Sequence, residues 1–347
     1  MDGSQVIDAS DIVGEAAGPF RVSYNSRDLL IYALGIGCAA SRSNREEDGG
    51  QLPSSELRYL YEGHQEFCAF PTYPLVLPSK GESSGVVDFP GPTLFILPRA
   101  LKGVVDPGAI LHYDQSLEIL EPLDPRGAVL EGRSVVLGLY QRRGGVLVRT
   151  KSTLADVTGR ILATSTQGSF LRGLKIARDV GPPLSLSSPL PVEPPDVVAN
   201  VTVSREQALL YRLSGDYNAL HADTEAARAA GLDVPILHGL CSLGIAARQV
   251  LLYFCQGDPS SLKSLSCRFS KIVLPGDQLQ VRLWGRALRH DERNSGMAGT
   301  APEMRMLGDR VIRFEVRSPR LGAAVVVADG RAVVVGGAAV LRRRARM

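Results

Sequence analysis

The sequence predicts an α+β protein made of two similar halves, each a helix set against an antiparallel sheet. Three observations lead there. The first is an internal repeat. Ser26-Arg27-Asp28 precedes an apolar run and then Tyr32, Leu34 and Gly35; Ser204-Arg205-Glu206 likewise precedes Tyr211, Leu213 and Gly215. Such self-similarity marks a duplicated structural unit. The second is the stretch PPLSLSSPLPVEPP at 182–195, which carries six prolines and no periodic apolar face. Proline fixes φ and removes a donor, so this stretch reads as an extended connection between the halves. The third is LHGLCSLGIAARQVLLYFC at 237–255, apolar on nearly every side as a buried helix is, followed by alternating segments broken by turn residues.

The elements follow in order. FRVSY and NVTVS alternate as strands do, and each runs into a serine suited to cap a helix. QSLEILEPLDPRG at 115–127 mirrors CRFSKIVLPGD at 267–277, each a strand closing in a Pro/Gly turn. DTEAARAAG at 223–231 is a short helix with Asp223 or Thr224 as cap and Gly231 as terminator. After the long helix, LSCRFSKIVL, QLQVRLWGRA, RVIRFEVRS and AAVVVADGRAVVVG are strand-like. The polar HDERNSGMAGTAPE at 290–303 reads as a loop between two of them. The expected boundaries are a first repeat at 15–178, a connection at 179–196, a second repeat at 197–341 and a basic tail at 342–347.

Composition removes several functions. With 347 residues and a net charge of +3, the chain has no field that would recruit nucleic acid. No stretch reaches the roughly 18 apolar residues of a membrane span. Five scattered cysteines without a CxxC pair point to buried thiols in a reducing compartment. Two motifs mislead. Gly35-Ile-Gly37-Cys-Ala-Ala40 imitates a dinucleotide fingerprint, but a polar loop follows it where a helix is needed. Gly81-Glu-Ser83-Ser-Gly85 imitates a nucleophile elbow, but its flanks cannot supply the following helix.

The chemistry concentrates in YRLSGDYNALHAD, residues 211–223. Asp216, Asn218 and His221 lie within six residues, between helical segments. A carboxylate and an imidazole can hold one water between them, one accepting a proton while the other donates. An amide can orient either group. The competing reading makes Asp216 and Asn218 helix caps and His221 a satisfied core histidine. Pro235-Ile-Leu-His238-Gly239 opens the long helix, where backbone N–H groups are free donors and a glycine lets a carbonyl approach. That is the requirement of an oxyanion hole; close packing on the sheet would equally select glycine. A metal set of His221, Asp223 and His238 is conceivable but has no recognised ligand spacing.

YRLSGDYNALHAD together with PILHGLCSLG resembles the signature of the (R)-specific enoyl-CoA hydratases, the MaoC-like branch of the hot-dog fold. YNSRDLLIYALGIG and LRYLYEGHQEFCAFPTYPLVL resemble the non-catalytic first repeat of the eukaryotic double hot-dog members. The resemblance implies two hot-dog repeats, each a long helix wrapped by an antiparallel sheet. It places the catalytic pair on Asp216 and His221, the motif amide on Asn218 and the oxyanion-hole glycine on Gly239. It implies reversible hydration of a trans-2-enoyl-CoA to a (3R)-hydroxyacyl-CoA, with no cofactor beyond the CoA thioester, and a homodimer. Ala219 stands where the family has proline, which stiffens that loop. The insertions at 78–92 and 286–303 also depart from the family pattern. His238, Arg268 and Lys271 are candidates to meet the CoA moiety, solvated charge being the alternative for the last two. Ile36-Gly37-Cys38-Ala39-Ala40, at the matching place in the first repeat, carries no acid or base and is expected to open a tunnel for the acyl chain. A hot-dog thioesterase would more often place a carboxylate on the central helix, and 240–255 has none. A silent acyl-CoA binder is the other alternative. The final Ala345-Arg346-Met347 resembles a peroxisomal address read by an import receptor, and otherwise is a frayed basic end.

Overall fold

A computed structural model describes residues 6–39, 54–89, 101, 105, 110–184, 189–287 and 309–335. The first half contains β1 (Val6–Ile7), β2 (Ala16–Asn25), α1 (Ser26–Gly35), α2 (Ser54–Leu60), α3 (Leu77–Lys80), β3 (Ile110–Ile119), β4 (Gly127–Arg142), β5 (Gly145–Ala155), β6 (Ile161–Arg172) and β7 (Lys175–Ile176). The second contains β8 (Val197–Thr202), α4 (Gln207–Tyr211), α5 (Thr224–Ala229), α6 (Gly239–Phe254), β9 (Leu262–Phe269), β10 (Gln278–Ala287), β11 (Arg310–Ser318) and β12 (Ala324–Val334).

The duplication is written in the sheet. Its order is β2-β4-β5-β6-β3-β9-β12-β11-β10-β8. Read inward from either edge, each half runs in the same sequence of first, third, fourth, fifth and second strand. The halves meet where β3 pairs antiparallel with β9, Gln115 opposite Cys267 and Leu117 opposite Leu265. These are the two strands whose likeness stands out in the sequence. The pairing leaves each half an open sheet with its exposed edge at β2 or β8, and closes the inner edges against each other. Inside lies α6. Twelve of its sixteen residues are buried, among them Leu243, Ile245, Val250, Leu251 and Phe254. Its core continues without a break into Tyr32, Phe70, Leu117, Leu265 and Phe314 of both halves.

The first half has no counterpart of α6 among the described residues. Its helices are α1 with ten residues, α2 with seven and α3 with four. Gly35 closes α1, and Pro71, Pro74 and Pro78 interrupt the apolar stretch after α2, where each removes a donor that a helix would need. Among the described residues, α6 is the one long helix packed on the sheet. The expected tunnel lining is also revised. Ile36 is fully buried, and a Cβ placed on Gly244 of α6 would lie 2.4 Å from its Cγ2. Ile36 fills space against α6 instead of opening it.

The connection is fastened to both halves: Tyr140 donates to Pro182 O at 2.6 Å and Trp284 Nε1 to Glu193 O at 2.8 Å. Gly35 closes α1, so a helix and not a strand leads into the glycines, and Gly81 to Gly85 follow α3 in a loop, so neither misleading motif gains its required context. The tail Ala345-Arg346-Met347, and the second insertion from residue 288 onward, lie outside the described residues.

Glu56 of α2 and Arg248 of α6 form an ion pair between the halves, with Arg248 Nη2 donating to Glu56 Oε2 at 3.0 Å and both side chains buried. A buried charge stripped of its partner costs about 3–5 kcal/mol, whereas replacing both by apolar groups is often neutral. Glu56→Ala should therefore lower the thermal midpoint sharply. Glu56→Leu combined with Arg248→Met should recover most of the loss in the same melting experiment.

Candidate active site

The site forms where an irregular segment of the second half meets the start of α6. The helical run from Gln207 ends at Gly215, whose φ of +129° turns the chain out of the helix. The next residues are held by their own side chains. Asp216 Oδ1 accepts from Asn218 N at 3.2 Å, and Asn218 Oδ1 accepts from Leu220 N at 3.0 Å. Asn218 thereby caps a single 3₁₀ turn, Ala219–His221. The capping reading and the site reading are thus both realised: these bonds shape the loop that presents the groups. Without proline at 219, it is this pair of short side-chain bonds that shapes the loop.

Asp216, His221 and His238 converge. Their potential donor and acceptor atoms lie within 4.8 Å of one another. His221 Nδ1 sits 2.8 Å from Ile236 O, and a carbonyl can only accept, so Nδ1 carries the proton and Nε2 is bare. The His238 ring stacks on that of His221 with centroids 3.5 Å apart and planes 23° apart. The Tyr211 ring also packs on His238, tilted, with centroids 4.9 Å apart. His238 Nε2 lies 3.2 Å from the Asp216 carbonyl and 4.0 Å from Asp216 Oδ2. Of the three side chains, Asp216 keeps 30% of its surface open to solvent, while His221 and His238 are buried.

Burial sets the charge state. It pushes the His221 imidazole below its ordinary value, against the Asp216 carboxylate, which favours the protonated ring. Burial, and then the neighbouring His221, push His238 well down. Both rings are held neutral in neutral solution. A neutral His221 with a bare Nε2, beside a carboxylate, is an arrangement able to accept a proton from a water between them.

His238 departs from its expected place against substrate. Its ring is enclosed by His221 and Tyr211, and its Nε2 proton is directed to the backbone of Asp216, so it braces the site from behind. Gly239 begins α6, where first-turn N–H groups have no intrahelical acceptor. A Cβ placed there would lie 3.2 Å from the Phe269 ring, so the glycine also serves close packing against β9. Arg268 and Lys271 are not brought to the cluster. Arg268 Nε donates to Asp329 Oδ2 at 2.8 Å, and β-strand alternation gives Cys267 and Phe269 the inner face that Arg268 leaves. Lys271 is exposed just beyond β9. Asp223 is excluded from a ligand set by its work as the cap of α5, accepting from Ala226 N at 2.7 Å. Asp216, His221 and His238 fit an ion poorly: stacked rings direct their in-plane nitrogens side by side, and His238 Nε2 is already a donor.

Comparison with known proteins agrees with this architecture. Residues 22–173 match the MFE-2 hydratase 2 N-terminal domain and residues 187–303 the MaoC-like domain. The chain is 31% identical over 285 residues to a probable enoyl-CoA hydratase 2 of Dictyostelium discoideum, covering 80% of this chain and 87% of that one. The chain belongs to the enoyl-CoA hydratase 2 family. A peroxisomal enoyl-CoA hydratase 2 of Arabidopsis thaliana is 34% identical over 281 residues, 78% of this chain and 84% of that one. The crystal structure of a MaoC-like dehydratase from Phytophthora capsici superposes with a TM-score of 0.77 at 35% identity, covering 97% of this chain and all of the other. This hydratase 2 chain is thus a double hot-dog protein.

Three residues around the cluster escape sequence reasoning. Tyr211 reads as core, Phe269 reads as one more strand residue, and His112 of the first half packs edge-on against Phe269 at 4.7 Å. Alternation from Cys267 gives Phe269 its inward direction; nothing local signals His112.

Because the folded rings resist protonation, the unfolded chain binds more protons below about pH 6.5. Folding stability should be complete above that pH and decline as pH falls below it. The C2–H resonances of His221 and His238 should titrate with midpoints under 6.5 in proton NMR. A midpoint for His221 at or above 6.5 would contradict the buried, neutral ring.

Proposed function

We propose that this chain adds water reversibly across the double bond of a trans-2-enoyl-CoA to give the (3R)-hydroxyacyl-CoA. The observation that carries this reading is the pairing of Asp216 with a buried His221 whose Nε2 is bare, beside the open N-terminus of α6 at Gly239. The family supports the substrate: relatives that share both halves of the chain are named enoyl-CoA hydratase 2.

The thioester oxygen accepts from the Gly239 N–H, which makes C3 electrophilic and shelters the charge that develops on that oxygen. Asp216 and His221 hold the attacking water. As the C3–O bond forms, the pair takes one proton from the water; as the enolate collapses, one proton is returned to C2. The sum is one molecule of water added, with no electrons exchanged. Asn218 shapes the loop that presents Asp216, and His238 braces both partners. The CoA thioester itself supplies the activation. One site operates per chain, because the matching place in the first repeat has neither acid nor base. The peroxisomal name of the Arabidopsis relative supports the same compartment here, which a fluorescent fusion imaged against a peroxisomal marker would test.

Purified protein should consume crotonyl-CoA and longer trans-2-enoyl-CoAs, read as loss of the enoyl absorbance. An (R)-specific dehydrogenase should oxidise the product and an (S)-specific one should not. Asp216→Ala and His221→Ala should each lower kcat by at least about 10²-fold. Release of free CoA thiol without hydration would instead identify a thioesterase, and binding without turnover a silent acyl-CoA carrier.

A further inference from the structure

The first repeat lacks catalytic groups, yet one of its side chains lies under the catalytic loop. Lys80, the last residue of α3, is buried. Its ammonium lies 3.3 Å from Asp28 Oδ2 and donates to Ser23 O at 2.7 Å and Ser83 O at 2.8 Å. Asp28 is itself fixed, since its carboxylate accepts from Asn25 N at 3.0 Å in the capping box of α1. A buried ammonium with a carboxylate and two carbonyls around it has its donors satisfied, which holds the Lys80 side chain on three sides, and Ser23 N donating to Gly81 O at 3.1 Å ties the adjoining main chain to β2.

That pinned backbone is what Gly215 rests on. A Cβ placed on Gly215 would lie 2.6 Å from Lys80 Cα and 2.7 Å from Lys80 N. No other residue type fits the contact, and Gly215 directly precedes Asp216. On the far side of Asp216, the hydroxyl of Tyr217 reaches to within 3.5 Å of Gly85 O, in the loop that Lys80 opens. The catalytic carboxylate is therefore flanked on both sides by residues seated on the 80–85 segment. This segment belongs to the first insertion, 78–92, and lies against the catalytic loop.

From this geometry we propose that Lys80 is a positioning residue of the silent repeat, and that its pairing with Asp28 sets the height at which the loop carrying Asp216 meets His238 at the start of α6. The claim deepens the hydratase reading and rests on it for its kinetic consequence, but the contact itself is independent of the reaction. Misplacing a reacting group by a fraction of its contact distance lowers turnover without removing the substrate's binding surface. Such an effect separates positioning from simple loss of fold.

Two variants test it on the full chain. Lys80→Met keeps the length of the side chain and removes the charge; Asp28→Asn keeps size and capping ability and weakens the pair. Hydrogen exchange should show residues 212–218 exchanging at least about fivefold faster while 239–254 stay protected as in the parent. With crotonyl-CoA, kcat should fall by about tenfold with KM within about twofold. Should Lys80→Met fail to fold, Asp28→Asn decides alone. Parent-like exchange at 212–218, parent-like kcat, or equal loss of protection across α6 would overturn the proposal. If the parent protein turns over no enoyl-CoA, the hydratase reading fails while the exchange measurement still judges the Lys80 contact.

Discussion

Pairing of β3 with β9 is the constraint on which the molecule depends. A half on its own would present its inner strand as an open edge, a row of unpaired backbone donors and acceptors ready to pair elsewhere. Joined there, the two halves become one ten-stranded sheet with a single wall for a single helix. Because α6 is the one long helix in the described structure, both halves bury their apolar faces against it or against its neighbours. Loss of catalytic groups in the first repeat is tolerable for the same reason. That half remains necessary as sheet, as core and as the support on which the second half's loop rests.

The site uses the two kinds of backbone that this arrangement supplies. One is rigid: the start of α6, held in the core, presents Gly239 and the His238 ring. The other is irregular, the run from Gly215 to His221, and it gains rigidity from short side-chain bonds and from what it touches. Stacking of His221 on His238 joins the two. Burying two imidazoles together disfavours protonation of either, and a neutral ring with a bare nitrogen is the form a water-activating group requires. The same burial thus packs the core and tunes the chemistry.

Much of this was legible in the residues. The strand QLQVRLWGRA coincides with β10 and RVIRFEVRS with β11, because period-two alternation between a buried and a solvated face leaves little freedom in register. The mirrored segments at 115–127 and 267–277 were recognisable as counterparts, although nothing in either said that they pair with each other. Asp216, Asn218 and His221 share one short loop, so their proximity is local and visible. What escaped depends on contacts across the halves. His238 was expected to face substrate, but Tyr211 and His221 enclose it. Ile36 was expected to open a tunnel, but Gly244 lets it pack on α6. Arg268 is a candidate for CoA phosphate or an ordinary solvated charge in the sequence; the structure adds that it pairs with Asp329. A long helix is expected in the first repeat, and the described residues hold none, prolines interrupting the apolar stretch after α2.

One working site serves a chain of two repeats, the catalytic groups all lying in the second. The most direct test of that claim is the stoichiometry of product binding. Isothermal titration of the full chain with a (3R)-hydroxyacyl-CoA should give one site per chain, and His221→Ala should weaken or abolish that binding. Two equivalent sites per chain, or one site untouched by His221→Ala, would contradict it.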